Sequence, residues 1–118
     1  MKAIILLAHG SRDPLWHQPM EAVARRLRSS HPDVPVQCAY LELEPPDLAS
    51  AASQLADAGA TEVTVVPMFL GTGKHAREDL PALVQAVART HASMHVTLRR
   101  PVGEDERLLD LLALIAGE

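Results

Sequence analysis

The chain has 118 residues, of which 47% are hydrophobic and 22% are charged, a composition that excludes a disordered protein and predicts one folded domain over residues 1–118. The net charge of −4 argues against a general nucleic-acid-binding protein. Cys38 is the only cysteine, so an intrachain disulfide is excluded. No apolar segment is long enough to span a membrane, and the short apolar start lacks a signal-peptide cleavage site, so we expect a cytoplasmic protein with no membrane partner.

The first half of the chain predicts two strands, each followed by a helix. A continuous apolar run over residues 3–8 is typical of a strand covered on both faces, and residues 34–41 predict a second strand of mixed polarity. The helix between them starts near Pro14 or Pro19, because proline is tolerated at the first helical position. The next helix opens at residues 45–47. The inner faces of the two helices should hold Trp16, Met20, Val23, Ala24 and Leu27, and Leu48, Ala51, Ala52 and Leu55.

The second half repeats this pattern. Residues 63–68 predict an apolar, β-branched third strand, and a glycine-rich loop follows over residues 71–75. A helix is expected near residues 79–90, and then an alternating edge strand over residues 94–99. A last helix is predicted over residues 104–116. Its inward face should hold Leu108, Leu111, Leu112 and Ile115.

The strands and helices alternate along the chain, which predicts the α/β class. We expect three layers: a four-stranded parallel sheet with helices on both faces. The first and third strands are fully apolar and should be central, which gives the strand order 2-1-3-4. In that order the direction of winding reverses between the first and third strands. Ligands of such sheets bind at this reversal, at the carboxyl ends of the strands.

Two histidines and a glutamate are placed to meet at that edge. His9 follows the first strand, Glu42 follows the second, and His75 ends the glycine-rich loop after the third. Two imidazoles and a carboxylate would make an open divalent-metal site with free positions for a substrate. Taken alone, the segment around His9 fits a plain strand-to-helix turn slightly better. Glu44, two residues after Glu42, is expected to be a solvated carboxylate.

Three cations flank the same crevice in an acidic chain. Arg12, Lys74 and Arg77 are either solvated surface residues or, together, a field that draws in a polyanionic ligand. His17 lies near the predicted crevice and could contact a substrate. Cys38 is expected to be buried and inert.

Four segments resemble the small sirohydrochlorin chelatases of the CbiX type, a class II chelatase family. They are residues 7–14, 40–43, 65–81 and 100–103, and the long segment from Val65 to Pro81 is the most specific of them. The metal-binding histidines of the family fall on His9 and His75, and its glutamate falls on Glu42.

The resemblance implies a lyase that inserts a divalent metal, foremost Co²⁺ and alternatively Fe²⁺ or Ni²⁺, into sirohydrochlorin on the way to cobalamin or sirohaem. The metal would be a substrate, and no organic cofactor is implied. His9, His75 and Glu42 would act as ligands and proton acceptors. Ser11, Arg12, Lys74 and Arg77 would hold the carboxylates of the tetrapyrrole. The resemblance further implies that this length is half of a two-lobed chelatase, and that short members pair as homodimers.

Three alternatives remain open at this stage. A ferrochelatase or a nickel chelatase would differ only in its metal. A carrier would bind the metal or the tetrapyrrole without catalysis. A flavodoxin-like binding domain would use no metal.

Overall fold

A four-stranded parallel sheet forms the centre of the molecule in the computed structural model, which describes residues 1–118. Its strands are β1 (Lys2–Ala8), β2 (Val36–Tyr40), β3 (Glu62–Pro67) and β4 (His95–Leu98). Their order is β2-β1-β3-β4, and every neighbouring pair is parallel. The predicted α/β class, strand order and central position of the two apolar strands are therefore confirmed.

Four helices connect and follow the strands. They are α1 (Gln18–Ser30), α2 (Leu48–Asp57), α3 (Lys74–Thr90) and α4 (Glu106–Ala116), with short 3₁₀ turns at Pro14–His17 and Val102–Glu104. Both candidate prolines start a helical segment: Pro14 opens the first 3₁₀ turn, which Asp13 caps, and Pro19 lies in the first turn of α1. None of the helices is long and apolar enough to cross a membrane.

Three of the helices, α1, α2 and α3, cover the sheet from both sides, as predicted. The larger core lies between the sheet and α2 with α3, where the β1 side chains Ile5 and Leu7 meet Leu55 and Val84. The smaller core lies under α1, whose Met20 and Ala24 pack on the opposite face of β1 and β2. Cys38 belongs to this second core and is a buried free thiol, as expected. Trp16 is wrongly predicted to face inward, since 38% of it is exposed.

Helix α3 begins five residues earlier than the sequence predicts, at Lys74 instead of near Asp79. Gly73 adopts an extended conformation and precedes the first turn, which closes when the Arg77 N–H donates to the Gly73 carbonyl at 3.1 Å. Pro81 lies inside this helix and removes only one backbone hydrogen bond, the one that residue 81 would make to residue 77. His75 and Arg77 therefore stand on the first helical turn and not in the loop.

Helix α4 contradicts the prediction that its apolar face turns inward. It forms over nearly the predicted residues, but none of them is buried, because it packs mainly against the 3₁₀ turn that precedes it. Leu111 is 51% exposed and Ile115 is 56% exposed. The pattern of apolar residues thus predicted the helix and its apolar face correctly, but not what that face contacts.

Candidate metal-binding site

The three predicted site residues line one cavity at the carboxyl edge of the sheet. The cavity has a volume of about 420 Å³, and His9, Glu42 and His75 all contribute to its wall. The remaining lining residues are Leu41, Gly73, Lys74, Ala76, Asp79, Leu80 and Leu83. No group of three His, Cys, Asp or Glu side chains is close enough together to hold a metal ion. The fold therefore brings the three side chains to one cavity without closing them into a coordination cluster.

A larger depression of about 810 Å³ lies against the start of α1 and is lined by Pro14, His17 and Glu21 among others. It is more open to solvent, and neither His9 nor His75 lines it. We take the smaller cavity as the site because it lies at the strand ends, where ligands of parallel sheets bind.

His9 is held by its backbone and by one ring contact. Its carbonyl accepts the N–H of Glu42 at 3.0 Å. The residues just before them make a similar contact, in which the Leu41 N–H donates to the Ala8 carbonyl at 2.9 Å. The imidazole of His9 stacks on the buried ring of Phe69, with ring centroids 4.3 Å apart and planes inclined by 27°. One face of the imidazole is thus fixed against the protein, while the residue as a whole remains exposed.

Gly10 allows the loop after β1 to lie directly on the loop after β2. Its φ of +105° is a conformation that residues with side chains rarely adopt, and a Cβ there would lie 1.9 Å from the Glu42 carbonyl oxygen. The two loops therefore pack backbone against backbone. This contact sets the separation of His9 and Glu42.

A strained turn separates Glu42 from Glu44. Leu43 has a φ of +70°, which is uncommon for a residue other than glycine and costs backbone energy. Glu42 lines the cavity, whereas the side chain of Glu44 is only 7% exposed and lies beside Ser11 and His17. The expectation that Glu44 is a solvated carboxylate is wrong, because the 3₁₀ turn that carries His17 covers it. Nothing in the local sequence signals this tertiary contact.

His75 lies at the start of α3, where the backbone N–H groups have no helical partners. Such a helix start favours anionic groups, and Lys74 beside it adds a positive charge to the cavity wall. Asp79, one turn after His75, lines the same cavity and was missed by the sequence analysis. The spacing of four residues would have revealed it once the helix was extended back to Lys74.

Of the residues predicted to hold substrate carboxylates, only Lys74 lines the cavity. The N–H of Ser11 donates to Glu44, and the Ser11 hydroxyl accepts the Asp13 N–H at 3.1 Å. Arg12 is exposed, and Arg77 donates to the Thr72 carbonyl at 3.4 Å. The predicted substrate contacts of Ser11, Arg12 and Arg77 therefore remain predictions.

The loop after β3 is fixed by a second glycine. The Gly103 N–H donates to the Phe69 carbonyl at 2.9 Å, and a Cβ on Gly103 would lie 1.8 Å from the Leu70 carbonyl oxygen. This contact fixes the backbone at Phe69 and Leu70, and so the position of the Phe69 ring on which His9 stacks. The side chain of Leu70 is 66% exposed. Leu43, also exposed, follows β2 at the same edge, so further apolar side chains lie near the cavity.

Cys38 and Tyr40 are two titratable groups of the smaller core under α1, and both stay neutral. Burial raises the pKa of the Cys38 thiol to about 11 and also raises the pKa of Tyr40, whose hydroxyl has no hydrogen-bond partner. Neither group can serve as a base near neutral pH. Proton acceptors for chemistry in the cavity are therefore limited to its imidazoles and carboxylates.

The fold and the cavity together define an α/β domain with a candidate metal site at the carboxyl ends of its strands. The chain belongs to the CbiX family, whose model matches residues 3–115. This confirms the family predicted from the sequence.

Three known proteins show the range of relatives. The sirohydrochlorin ferrochelatase of Priestia megaterium is 33% identical over 113 residues, which are 95% of this chain but 42% of that protein. The sirohydrochlorin cobaltochelatase of Methanococcoides burtonii is 28% identical over 117 residues, which are 92% of this chain and 89% of that protein. The crystal structure of a CbiX protein from Marinobacter aquaeolei VT8 has a TM-score of 0.87 and 32% identity, and the match covers 99% of this chain and 95% of that one. The chain thus spans less than half of the ferrochelatase and nearly all of the two shorter proteins.

Proposed function

We propose that this protein inserts a divalent metal ion, with Co²⁺ as the favoured metal, into sirohydrochlorin. The observation that carries the proposal is the convergence of His9, Glu42 and His75 on one open cavity in a chain of the CbiX family. Curated relatives at both lengths are named as sirohydrochlorin chelatases, for iron in the longer protein and for cobalt in the shorter. We favour Co²⁺ because the chain matches the cobaltochelatase over most of that protein's length.

The residues suit the delivery of a metal better than its permanent storage. Imidazole and carboxylate ligands bind Co²⁺, Fe²⁺ and Ni²⁺ and exchange them, whereas thiolates would retain a soft ion. The three side chains surround an open cavity, so an ion bound there keeps free positions for the pyrrole nitrogens. Insertion also releases two protons from the macrocycle, and an imidazole that gives up the metal, or Glu42, can accept them.

The cavity wall also offers groups for the tetrapyrrole. Leu41, Leu80 and Leu83 supply apolar surface to the cavity for the face of the macrocycle. Lys74 and the unpaired N–H groups at the start of α3 supply positive potential for its carboxylates.

We further propose that residues 1–118 act as one chelatase-like domain and that two copies pair as a homodimer. Helix α4 exposes a face of leucine and isoleucine side chains, and exposed apolar faces of this kind mark interaction surfaces. The longer ferrochelatase is matched over only 42% of its length, so a second copy of this chain would supply what that protein carries in one polypeptide.

We also propose a cytoplasmic location. The one cysteine, Cys38, is a buried free thiol, which suits a reducing compartment. Cell fractionation with an antibody against the chain tests this directly.

A spectroscopic assay tests the main proposal. Sirohydrochlorin is mixed with Co²⁺, Fe²⁺ or Ni²⁺ in parallel under anaerobic conditions, and the change in tetrapyrrole absorbance is followed. An enzyme gives a rate proportional to protein concentration and many turnovers per chain. A carrier gives a spectral shift that stops at one equivalent, which would overturn the proposal in favour of a binding protein.

A further inference from the structure

We propose that Glu44 is a positioning residue that fixes the loop carrying His9, with His17 securing Glu44 from the other side. The inference rests on the proposed role of His9 as a metal ligand, and it assigns a function to a carboxylate outside the cavity.

The side chain of Glu44 is almost fully buried, which is unusual for a carboxylate. Its side chain is 7% exposed, and a carboxylate is costly to remove from water unless its oxygens are paired. Its Oε2 accepts the Ser11 N–H at 2.7 Å, the length of a charge-assisted hydrogen bond. Its Oε1 lies 2.9 Å from Nδ1 of His17 but does not have the angles of a hydrogen bond, so the Ser11 bond is the directional one.

His17 is itself fixed in place. Its ring packs edge-on against the ring of Tyr40, with centroids 5.7 Å apart. Tyr40 ends β2 and is 3% exposed, so its position is set by the core. The 3₁₀ turn that contains His17 therefore covers Glu44 with a side chain that has little freedom to move away.

The Ser11 bond completes a series of three contacts between the two loops. The His9 carbonyl accepts the Glu42 N–H, Gly10 packs on the Glu42 carbonyl, and Ser11 donates to Glu44. Removing the Glu44 side chain would leave only the two contacts to Glu42, and Gly10, which has the most permissive backbone of the three residues, would lose the anchor on its C-terminal side. The loop would then be held to Glu42 but not to Glu44, and the backbone around Gly10 that helps to orient the His9 imidazole would gain freedom to rotate.

A role in overall stability alone does not explain the hydrogen bond between Ser11 and Glu44. The hydrogen bond from Ser11 caps no helix and extends no sheet, because residues 9–11 lie between β1 and the first 3₁₀ turn. What the bond orders is the segment that presents His9. Partners that orient a metal ligand affect metal affinity about 10- to 100-fold when they are removed, even though they do not touch the ion.

The test measures Co²⁺ affinity without tetrapyrrole in a double-mutant cycle. We expect Glu44→Ala to weaken Co²⁺ binding by about tenfold. Glu44→Gln should remain near wild type, because its amide oxygen still accepts the Ser11 N–H. Glu62→Ala, an exposed glutamate at the opposite edge of the sheet, is the matched control and should change nothing. In a His9→Ala background, Glu44→Ala should have no further effect on Co²⁺ affinity.

Equal weakening of Co²⁺ binding in both backgrounds would overturn the proposal, because Glu44 would then act without His9. Loss of affinity in Glu44→Gln as large as in Glu44→Ala would also overturn it. If Glu44→Ala does not fold, His17→Ala leaves the Ser11 bond in place and should weaken Co²⁺ binding in the same direction but less. An unchanged affinity in that variant would contradict the role of His17.

A second measurement separates this inference from the proposed function. Imidazole ¹H–¹⁵N signals of His9 in the metal-free protein report its order directly, and we expect Glu44→Ala to broaden or shift them while those of His95 stay unchanged. If His9→Ala does not alter Co²⁺ affinity, the proposed metal role of His9 fails. The His9 signals still decide whether Glu44 positions the ring.

Discussion

His9 and His75 line the same cavity but are held by different means, so their substitution should have different side effects. We expect His75→Ala to abolish chelation with an unchanged melting temperature, because His75 is exposed on the first turn of α3. His9→Ala should abolish chelation as well and also lower stability by about 1 kcal/mol, since it removes the ring stacked on Phe69. Circular dichroism melts and turnover, measured on the same preparations, give both quantities.

His95→Ala is the control for both histidine variants, since His95 is exposed at the opposite end of β4 from the cavity. It should retain wild-type turnover. Turnover near the wild-type rate in His75→Ala or His9→Ala would remove that histidine from the mechanism.

Glu42 can act as a third ligand or as a proton acceptor, and Glu42→Gln distinguishes the two roles. The amide keeps the shape of the side chain but lacks its charge and basicity. Loss of a ligand should weaken metal binding in the absence of tetrapyrrole. Loss of a base should leave that affinity nearly unchanged, slow insertion and alter the acidic limb of the pH–rate profile. If neither quantity changes, Glu42 is a solvated residue at the cavity mouth.

The location of a residue was predictable where it directly follows a strand, whereas its role in metal binding stays a prediction. The position of His9 depends only on where β1 ends, and the residues that end a parallel strand are visible in the sequence. Glu44 and Asp79 were missed for a different reason. The burial of Glu44 depends on a turn 27 residues earlier in the chain, which covers it with His17. The position of Asp79 depends on where α3 begins.

At the scale of the elements, helix α2 shows how a single side chain sets a boundary. Asp47 accepts the Ser50 N–H at 2.8 Å, which lowers the pKa of its carboxyl. We expect Asp47→Ala to lower stability by about 1 kcal/mol at pH 7, or roughly 4 °C in melting temperature. Asp47→Asn keeps an acceptor and should lose less. Thermal melts at a series of pH values measure both effects.

The pH dependence of this cap has a definite sign. The folded-state pKa of Asp47 is below its unfolded value of about 4, so the contribution of its charge is complete above that pH and is lost as the pH falls through the folded-state value. The gap in melting temperature between wild type and Asp47→Ala should therefore narrow in acid. A gap that stays constant from pH 7 to pH 3 would mean that the carboxylate charge does not contribute.

Element boundaries were harder to predict than element types, and α3 shows why. Proline is common in a first helical turn, so Pro81 favours a start near Asp79. In the structure, Gly73 and the closure of the first turn set the start at Lys74. The cost of a proline inside the helix depends on one backbone bond, and the sequence does not show whether the rest of the helix compensates for it.

At the scale of the whole molecule, the sheet order followed from hydrophobicity alone, but the packing of α4 did not. Strands covered on both faces must be central, and β1 and β3 are the two strands with that composition. The apolar periodicity of α4 shows that one face needs a partner. The periodicity does not show whether that partner belongs to the same chain. Within residues 1–118 that face has no partner, since Leu111 and Ile115 are more than half exposed.

If that partner is a second copy, charges on the apolar face of α4 should separate the dimer. Leu111 and Ile115 lie one turn apart on this face, and burying a side chain of that size contributes about 1.5–3 kcal/mol. Leu111→Glu combined with Ile115→Glu should raise the dimer dissociation constant at least about 100-fold and reduce chelation in parallel. Sedimentation velocity at micromolar concentration measures the first effect, and the absorbance assay measures the second. Asp110→Lys, on the opposite face of the helix, should leave both unchanged. A wild-type protein that sediments as a monomer while retaining full activity would show that one copy suffices and that α4 docks elsewhere.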